Sequence, residues 1–189
     1  VSRRGGRLWT AVRALGVVLV LESFLLLSSA AWRMGLYIGA YGLSFKRFLT
    51  GWGMVMMALF FLCALWKLHR PERYFLRRAV PIALCGWLVL NCIPVDYLVA
   101  KDQVDRYLDG ESTTLSVFYL ANALSYDTLS QLERLDQDAP AWTYEADDLY
   151  APSGETLADV IAQRRAAARA DCSDWRSWSL SAYLAGGGA

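Results

Sequence analysis

The sequence is poor in the residues that usually build catalytic and metal sites. It has one histidine, His69, and four cysteines among 189 residues. A lone histidine supplies neither a histidine metal cluster nor a Ser-His-Asp triad. Four cysteines without a ligand spacing indicate neither a disulfide framework nor a zinc site, and no nucleophile elbow, phosphate-binding loop or dinucleotide fingerprint occurs. We therefore expect no cofactor, and an enzyme is the class that the sequence supports least.

Charge is also scarce and unevenly distributed. Charged residues make up 20 % of the chain and hydrophobic residues 56 %, with a mean hydropathy of +0.25. Residues 1–100 carry twelve Lys and Arg against three Asp and Glu, whereas residues 101–189 carry seven against fifteen. The net charge of +1 gives no sign of a nucleic-acid partner. The pattern predicts an apolar, basic half followed by an acidic half, rather than an ordinary soluble domain.

Three apolar runs in the first half are long enough to cross a bilayer, which takes about 20 residues. They predict transmembrane helices at about 14–32, 48–66 and 79–100, with Pro94 expected to kink or end the third. Tryptophans lie close to the ends of the runs, where headgroups favour them: Trp9, Trp32, Trp52 and Trp66. We therefore predict an all-α integral membrane protein, with a transmembrane region over 1–100 and a small acidic helical module over 101–189.

The positions of the basic residues predict an orientation. Nine Lys and Arg flank the N-terminus and the loop between the second and third runs, against five on the other side. Basic residues favour the cytoplasmic side. This places the N-terminus in the cytoplasm of a multi-pass cell-membrane protein and the acidic module outside, unless helices upstream of this chain set the topology.

Three polar residues within the apolar runs are candidates for function. Glu22 lies in the middle of the first run, where a charged carboxylate costs about 2.5–3.5 kcal/mol. It is expected to be protonated, to face a polar partner on another helix, or to line a proton or ion path. The alternative is a packing hydrogen bond among the helices, with serines such as Ser23 nearby. Asn91 and Asp96 form a second polar pair near the end of the third run.

The stretch between the first two runs carries aromatic and basic residues that suit a membrane edge: Arg33, Tyr37, Tyr41, Lys46 and Arg47. Aromatic rings prefer the headgroup zone and cations the phosphates. This stretch resembles the Arg-x-x-Leu-Tyr…Tyr-Gly-Leu-Thr…Arg signature of bacterial multi-pass membrane proteins filed as domain of unknown function 4173, with relatives under 4153.

Later motifs extend the resemblance over roughly residues 28–185. Asn91 and Asp96 fall at an Asn-rich turn of the family, in which Pro94 and Gln103 replace two further Asn. Tyr119-Leu120 with Leu124-Ser125-x-Asp127 is similar to a second family motif, and the sequence from Asp174 to Ser181 is similar to a third. Members of the family generally have more transmembrane helices upstream, so the chain resembles their C-terminal part. The resemblance implies a location and a topology, and no activity.

The acidic half has helical rather than strand periodicity. Leucines predict a hairpin broken near Ser125 and Tyr126, with Asp127 capping its second helix, and a third helix over about 156–170 with Arg164 on its apolar face. Between them lies a loop rich in Asp, Pro and Gly. Its acidic residues lack the ligand spacing of a calcium loop, so we expect a solvated acidic face rather than a calcium site. A module of this size is a marginal core by itself, which favours packing on the membrane part.

The motif near the C-terminus is the candidate interaction site: Asp174, Trp175, Arg176 and Trp178. A spacing of three predicts both indoles on one helical face, either docked on the hairpin or the membrane interface, or forming a recognition surface. The leading hypothesis is a non-enzymatic interaction or sensing accessory of the bacterial envelope. Its expected partners are the lipid bilayer and a protein that binds the C-terminal module, and the hypothesis allows the chain to form an oligomer. The alternative is a membrane-transporter component with Glu22 in a polar path.

Overall fold

Helices account for about 79 % of the structure, a computed structural model that describes residues 3–69, 74–141 and 155–186. The described residues form no strand, so the predicted all-α fold is confirmed. The chain divides into two compact units, Val1–Ile93 and Pro94–Ala189. This division comes at the proline that interrupts the third apolar run, whereas the change in composition lies near residue 100.

The first unit contains the long apolar helices. They are α1 (Arg3–Tyr41), α2 (Phe45–His69) and α3 (Leu76–Cys92). The segments Leu8–Tyr41 and Phe45–His69 are long and apolar enough to cross a membrane, and the most apolar stretch of each contains no buried residue. A long apolar helix without a buried residue in its most apolar stretch suits lipid as its solvent. The prediction of membrane-spanning helices is confirmed.

The predicted third span proves to be broken. Helix α3 ends at Cys92, and α4 (Val95–Leu108) begins after Pro94, so the two reach the length of a span only when taken together across the break. Proline cannot donate a hydrogen bond and pushes the preceding residue toward extended backbone. Ile93 accordingly has ψ 123°. The structure therefore holds two complete candidate spans, or three if the interrupted pair counts as one.

Helices α1 and α2 pack as neighbours through aromatic and small residues. The rings of Phe24 and Phe61 meet edge to face, with centroids 5.5 Å apart. Gly16 allows close approach of α2, since a Cβ on it would lie 3.1 Å from Cδ2 of Leu68. Close packing of this kind is what holds helices together in lipid, where apolar surface gains nothing by being hidden.

The second unit is a small helical domain. After α4 come a π-helical turn (Tyr119–Ala123), a 3-10 turn (Tyr126–Thr128), α5 (Leu129–Leu132), α6 (Leu157–Ser173) and α7 (Leu180–Ala185). Helix α6 starts with a capping box. The Thr156 side chain accepts from the backbone of Asp159, whose carboxylate accepts from the Thr156 N–H and hydroxyl. These hydrogen bonds lower the pKa of Asp159.

Aliphatic side chains from α4 onward build the core of this unit. Those with less than 2 % of their surface exposed are Val99, Val104, Leu120, Leu132 and Leu157. Thr128 is equally buried, and its hydroxyl donates to the carbonyl oxygens of Leu120 at 2.9 Å and Ser125 at 3.0 Å. The predicted hairpin break lies at Leu124 and Ser125, both of which have extended backbone.

Asp127 does not cap a helix as predicted. It lies inside the 3-10 turn, which begins without a side-chain cap, and its Oδ2 accepts from the Ser125 hydroxyl at 3.4 Å. Several residues of the predicted loops and flanks lie outside the described residues: Arg70, Arg73, Asp147, Asp148, Pro152 and Gly154.

Candidate functional site

Three residues of the aromatic and basic stretch predicted at the membrane edge form a cluster at the turn between α1 and α2: Tyr37, Tyr41 and Arg47. Helix α1 continues beyond its predicted end to Tyr41, and Gly42 stops it with a φ of +74°, a conformation that favours glycine. The Arg47 guanidinium donates to the carbonyl oxygens of Tyr41 at 3.0 Å and Gly42 at 2.5 Å. It also lies over the rings of Tyr37 and Tyr41, at 4.6 and 5.9 Å.

This cluster explains the residue pattern of the turn. The last carbonyls of a helix have no partner within the helix, and Arg47 satisfies two of them from the next helix. The rings of Tyr37 and Tyr41 lie with centroids 4.7 Å apart, tilted by 39° to each other, and add cation–π contacts to the same guanidinium. Arg33, in contrast, is exposed on α1, outside this cluster.

The two polar candidates of the apolar helices have different surroundings. Glu22 is exposed on α1, and no hydrogen bond or ion pair joins its side chain to another described residue. The nearby Ser23 hydroxyl instead donates to the Leu19 carbonyl at 2.8 Å, within the same helix. Asn91 is likewise exposed and donates to the carbonyl of Trp87 at 2.7 Å.

Asp96, the third polar candidate, has a hydrogen-bond partner within the second unit. Its Oδ2 accepts the Ser125 N–H at 3.0 Å. Asp96 lies in the first turn of α4, where a carboxylate interacts favourably with the helix dipole. This hydrogen bond joins the start of α4 to the extended residue between the two short helical turns. Asp96 therefore has a structural partner 29 residues away in sequence.

Residues of helix α6 also contact the turn around Ser125 and Tyr126. The Tyr126 hydroxyl donates to Oδ2 of Asp171 at 2.6 Å, and this bond, together with burial, raises the pKa of Tyr126. Arg164 lies over the Tyr126 ring at 4.6 Å and donates to the Leu124 carbonyl at 3.1 Å. The turn between the two predicted hairpin helices is thus fixed by a phenol, a carboxylate and a guanidinium.

The motif that begins at Asp174 forms a tight turn after α6, and not the helix that its spacing predicted. The Asp174 side chain accepts the Arg176 N–H at 3.1 Å, and its carbonyl accepts the N–H groups of Ser177 at 3.2 Å and Trp178 at 3.0 Å. The Ser177 hydroxyl donates to the Asp171 carbonyl at 3.0 Å. Ser179 then caps α7 by accepting the Ala182 N–H at 3.2 Å. The turn is therefore ordered by its own polar residues.

The indoles of this turn do not cover the core of the second unit. Trp175 is 82 % exposed and Trp178 is 54 % exposed, and the Arg176 guanidinium lies 5.5 Å from the Trp175 ring. Helix α7 adds three further exposed side chains. We call the whole patch the aromatic surface: Trp175, Arg176, Trp178, Leu180, Tyr183 and Leu184.

Helix α7 is nevertheless held firmly against α6. Ala182 is fully buried, and the Arg169 Nε donates to the Gly186 carbonyl at 3.0 Å. A Cβ on Gly186 would lie 3.1 Å from the Ala182 carbonyl oxygen and 3.3 Å from the Arg169 Cγ. The apolar exposure of the aromatic surface is therefore a property of an anchored element and not of a loose tail.

A cleft of about 710 Å³ opens beside α7 in the second unit. Its apolar lining consists mainly of Pro94, Tyr97, Leu129, Leu180 and Leu184. The cleft also contains Asp127, together with the Glu133–Arg165 ion pair. Its mixture of apolar walls and a few charged groups is typical of binding grooves. Among the described residues no group of three His, Cys, Asp or Glu could hold a metal ion.

The sequence brought attention to the aromatic residues but missed the groups that position them. No pattern in the sequence pairs Tyr126 with Asp171 or Arg165 with Glu133. These hydrogen bonds and ion pairs join residues 32 to 45 positions apart, and contacts at such separations leave no local pattern. One signal was present. Arg164 lies on the apolar face of α6, and a cation there generally implies a partner that satisfies it.

The first 135 residues match a family model described as Domain of unknown function (DUF4153). The chain belongs to this family. The predicted family relationship is thereby confirmed at this broader level, and with the apolar helices it identifies a membrane protein of the DUF4153 family. The matched region includes the cluster of Tyr37, Tyr41 and Arg47, together with Asp96 and the turn at Ser125. It ends before the aromatic surface. No curated protein and no solved structure matches the chain.

Proposed function

We propose that this DUF4153 protein is a non-enzymatic interaction or sensing accessory of the bacterial envelope, whose second unit makes its contacts through the aromatic surface. The observation that carries the proposal is the exposure of Trp175 and Trp178 on an element that hydrogen bonds and a buried Ala182 hold in place. Exposed apolar patches of this kind mark interaction sites, and Trp, Tyr and Arg are favoured anchors.

The charge of the second half supports a contact function. Residues 101–189 carry fifteen acidic and seven basic residues, which keeps the unit soluble beside the membrane, while the aromatic surface contains Arg176 as its charged member. Because the rest of the unit is acidic and solvated, association with a partner is directed to the apolar, weakly charged aromatic surface.

Cysteine protection tests the proposal. Trp178→Cys is labelled with a maleimide in open membrane fragments, where both sides are accessible, and again in detergent-solubilised protein. Thr113→Cys, an exposed position outside the aromatic surface, is the matched control. We expect Trp178→Cys to react several-fold more slowly in membranes than in detergent and the control to react equally. Equal rates at both positions would contradict the proposal.

Glu22 favours a second candidate function, a transport component with this carboxylate in a polar path. It stands exposed in the apolar stretch of α1, where a charge is costly unless the carboxyl takes up a proton or meets a polar partner from another helix or another copy. Glu22→Gln should then abolish a proton flux into vesicles, monitored with a pH-sensitive dye, while Glu22→Asp preserves part of it. An undiminished flux in Glu22→Gln excludes this role.

Two finer assignments belong with these proposals. The orientation with a cytoplasmic N-terminus and an outer second unit is supported by the nine-to-five distribution of basic residues. A reporter fused after Ala189 that is active only outside the cytoplasm tests it.

Membership in the relatives filed as 4173 is supported by the motif from Asp174 to Ser181.

A further inference from the structure

We infer that the aromatic surface binds the interfacial zone of the lipid bilayer in which the same chain is anchored. The inference rests on the proposed function, since it names the partner of the surface proposed there. The aromatic surface consists of two Trp, one Tyr, two Leu and one Arg within ten positions of the chain. All six are exposed.

The chemistry of these side chains fits the headgroup zone. Indole and phenol rings combine an apolar body with a polar group and collect at membrane–water interfaces, while leucines insert into the boundary of the acyl chains. Leu180 and Leu184 are 63 % and 65 % exposed. Their spacing of four places them on one face of α7, so a single face offers the apolar contact.

Arg176 suits a lipid phosphate. Its side chain extends over the Trp175 ring at 5.5 Å, and arginine stacked on an aromatic ring keeps its N–H donors available at the edge. Asp174 lies two positions before Arg176 in sequence, but its carboxylate accepts the Arg176 backbone N–H at 3.1 Å. The turn thus presents a cation beside the Trp175 indole, with a second exposed indole three positions on, which matches a zwitterionic headgroup over an acyl boundary.

Two further observations favour lipid over a protein partner. The second unit starts at Pro94, within the interrupted pair of helices that reaches the length of a span only as a pair. The same chain carries two complete candidate spans, so the bilayer surface is available at high effective concentration and a weak contact suffices. The acidic excess of residues 101–189 opposes binding to anionic lipids. We therefore expect a contact that depends on apolar insertion, occurs on phosphatidylcholine and changes little with salt.

The experiment places a fluorescent probe on the aromatic surface of the full chain. Tyr183→Cys, exposed on α7, is labelled with an environment-sensitive dye after the four native cysteines are replaced by serine. Thr113→Cys is labelled as the matched control. Each protein is inserted in nanodiscs of phosphatidylcholine, with or without bromine on the acyl chains, since bromine quenches only dyes that reach the bilayer.

We expect brominated lipid to reduce emission about twofold at position 183 and to leave position 113 nearly unchanged, as for an interfacial apolar face. The double variant Trp175→Ser/Trp178→Ser should lose this quenching. Trp175→Phe/Trp178→Phe should retain most of it, which separates loss of the contact from loss of the fold. Quenching should persist when the salt concentration is raised.

The outcomes separate the inference from the proposed function. Equal quenching at positions 183 and 113, or none at 183, overturns the lipid assignment. If position 183 is unquenched while Trp178→Cys is protected in native membranes, a protein occupies the surface and the proposed interaction function stands. If protection is also absent, both are overturned. Quenching at 183 that survives Trp175→Ser/Trp178→Ser overturns the role of the indoles.

Discussion

Asp96→Ala offers the sharpest test of how the second unit is held together. The substitution removes the acceptor of the Ser125 N–H at 3.0 Å and the acidic group in the first turn of α4. A hydrogen bond to a charged group contributes about 1.5–3 kcal/mol, and a carboxylate at a helix N-terminus about 0.3–1 kcal/mol. Since the site is half-buried, we expect the free energy of unfolding of this unit to fall by about 2–3 kcal/mol.

Hydrogen exchange of the full-length protein in detergent micelles measures the effect. The Ser125 amide should lose protection in Asp96→Ala, and amides in the buried part of α4 should exchange faster as the unit opens more often. Asp96→Asn retains an acceptor oxygen and should lose about 1 kcal/mol. Asp109→Ala, an exposed acidic residue at the other end of α4, should have almost no effect. Unchanged Ser125 protection in Asp96→Ala would refute the assigned role.

Three other predictions concern local devices in the fold. Thr156→Ala removes the capping box of α6 and should lower the free energy of unfolding by about 1 kcal/mol, as read from urea unfolding followed by circular dichroism. Tyr126→Phe should lower the free energy of unfolding by about 1 kcal/mol. Because the hydrogen bond to Asp171 raises the pKa of the phenol, this loss of stability should be complete below the ordinary tyrosine pKa and should vanish as the pH rises through the raised pKa. Gly42→Ala, at a φ of +74°, should destabilise the turn between α1 and α2 by about 1–2 kcal/mol, whereas an unchanged resistance to detergent-induced unfolding would contradict the strain assigned to it.

Much of the first unit was accessible from the pattern of side chains. Apolar runs predict spanning helices because lipid leaves the backbone no partner except its own helix, and both complete spans occur where the runs lie. Their ends were less predictable. Helix α1 passes through Arg33 and stops at Gly42, because its intrahelical hydrogen bonds continue past polar side chains until the backbone enters the left-handed region.

The second unit shows where local patterns fail. Trp175 and Trp178 have helical spacing, yet the hydrogen bonds of Asp174 turn the backbone instead, since Asp competes for nearby N–H groups. Asp127 is spaced as a cap but lies within a 3-10 turn. In both places a short polar side chain accepts a hydrogen bond from a residue two positions away, which spacing along a helix does not predict.

The amino-acid sequence by itself determined that this protein is helical, enters a membrane and separates a basic apolar half from an acidic one, because these properties depend on composition and periodicity summed over many residues. Only the tertiary structure decided that Asp96 holds the Ser125 turn, that Arg47 caps α1, and that the indoles of the C-terminal turn face outward. Each of those outcomes depends on the position of one side chain relative to a backbone group from another element. Chain folding sets that position, and spacing along the sequence does not.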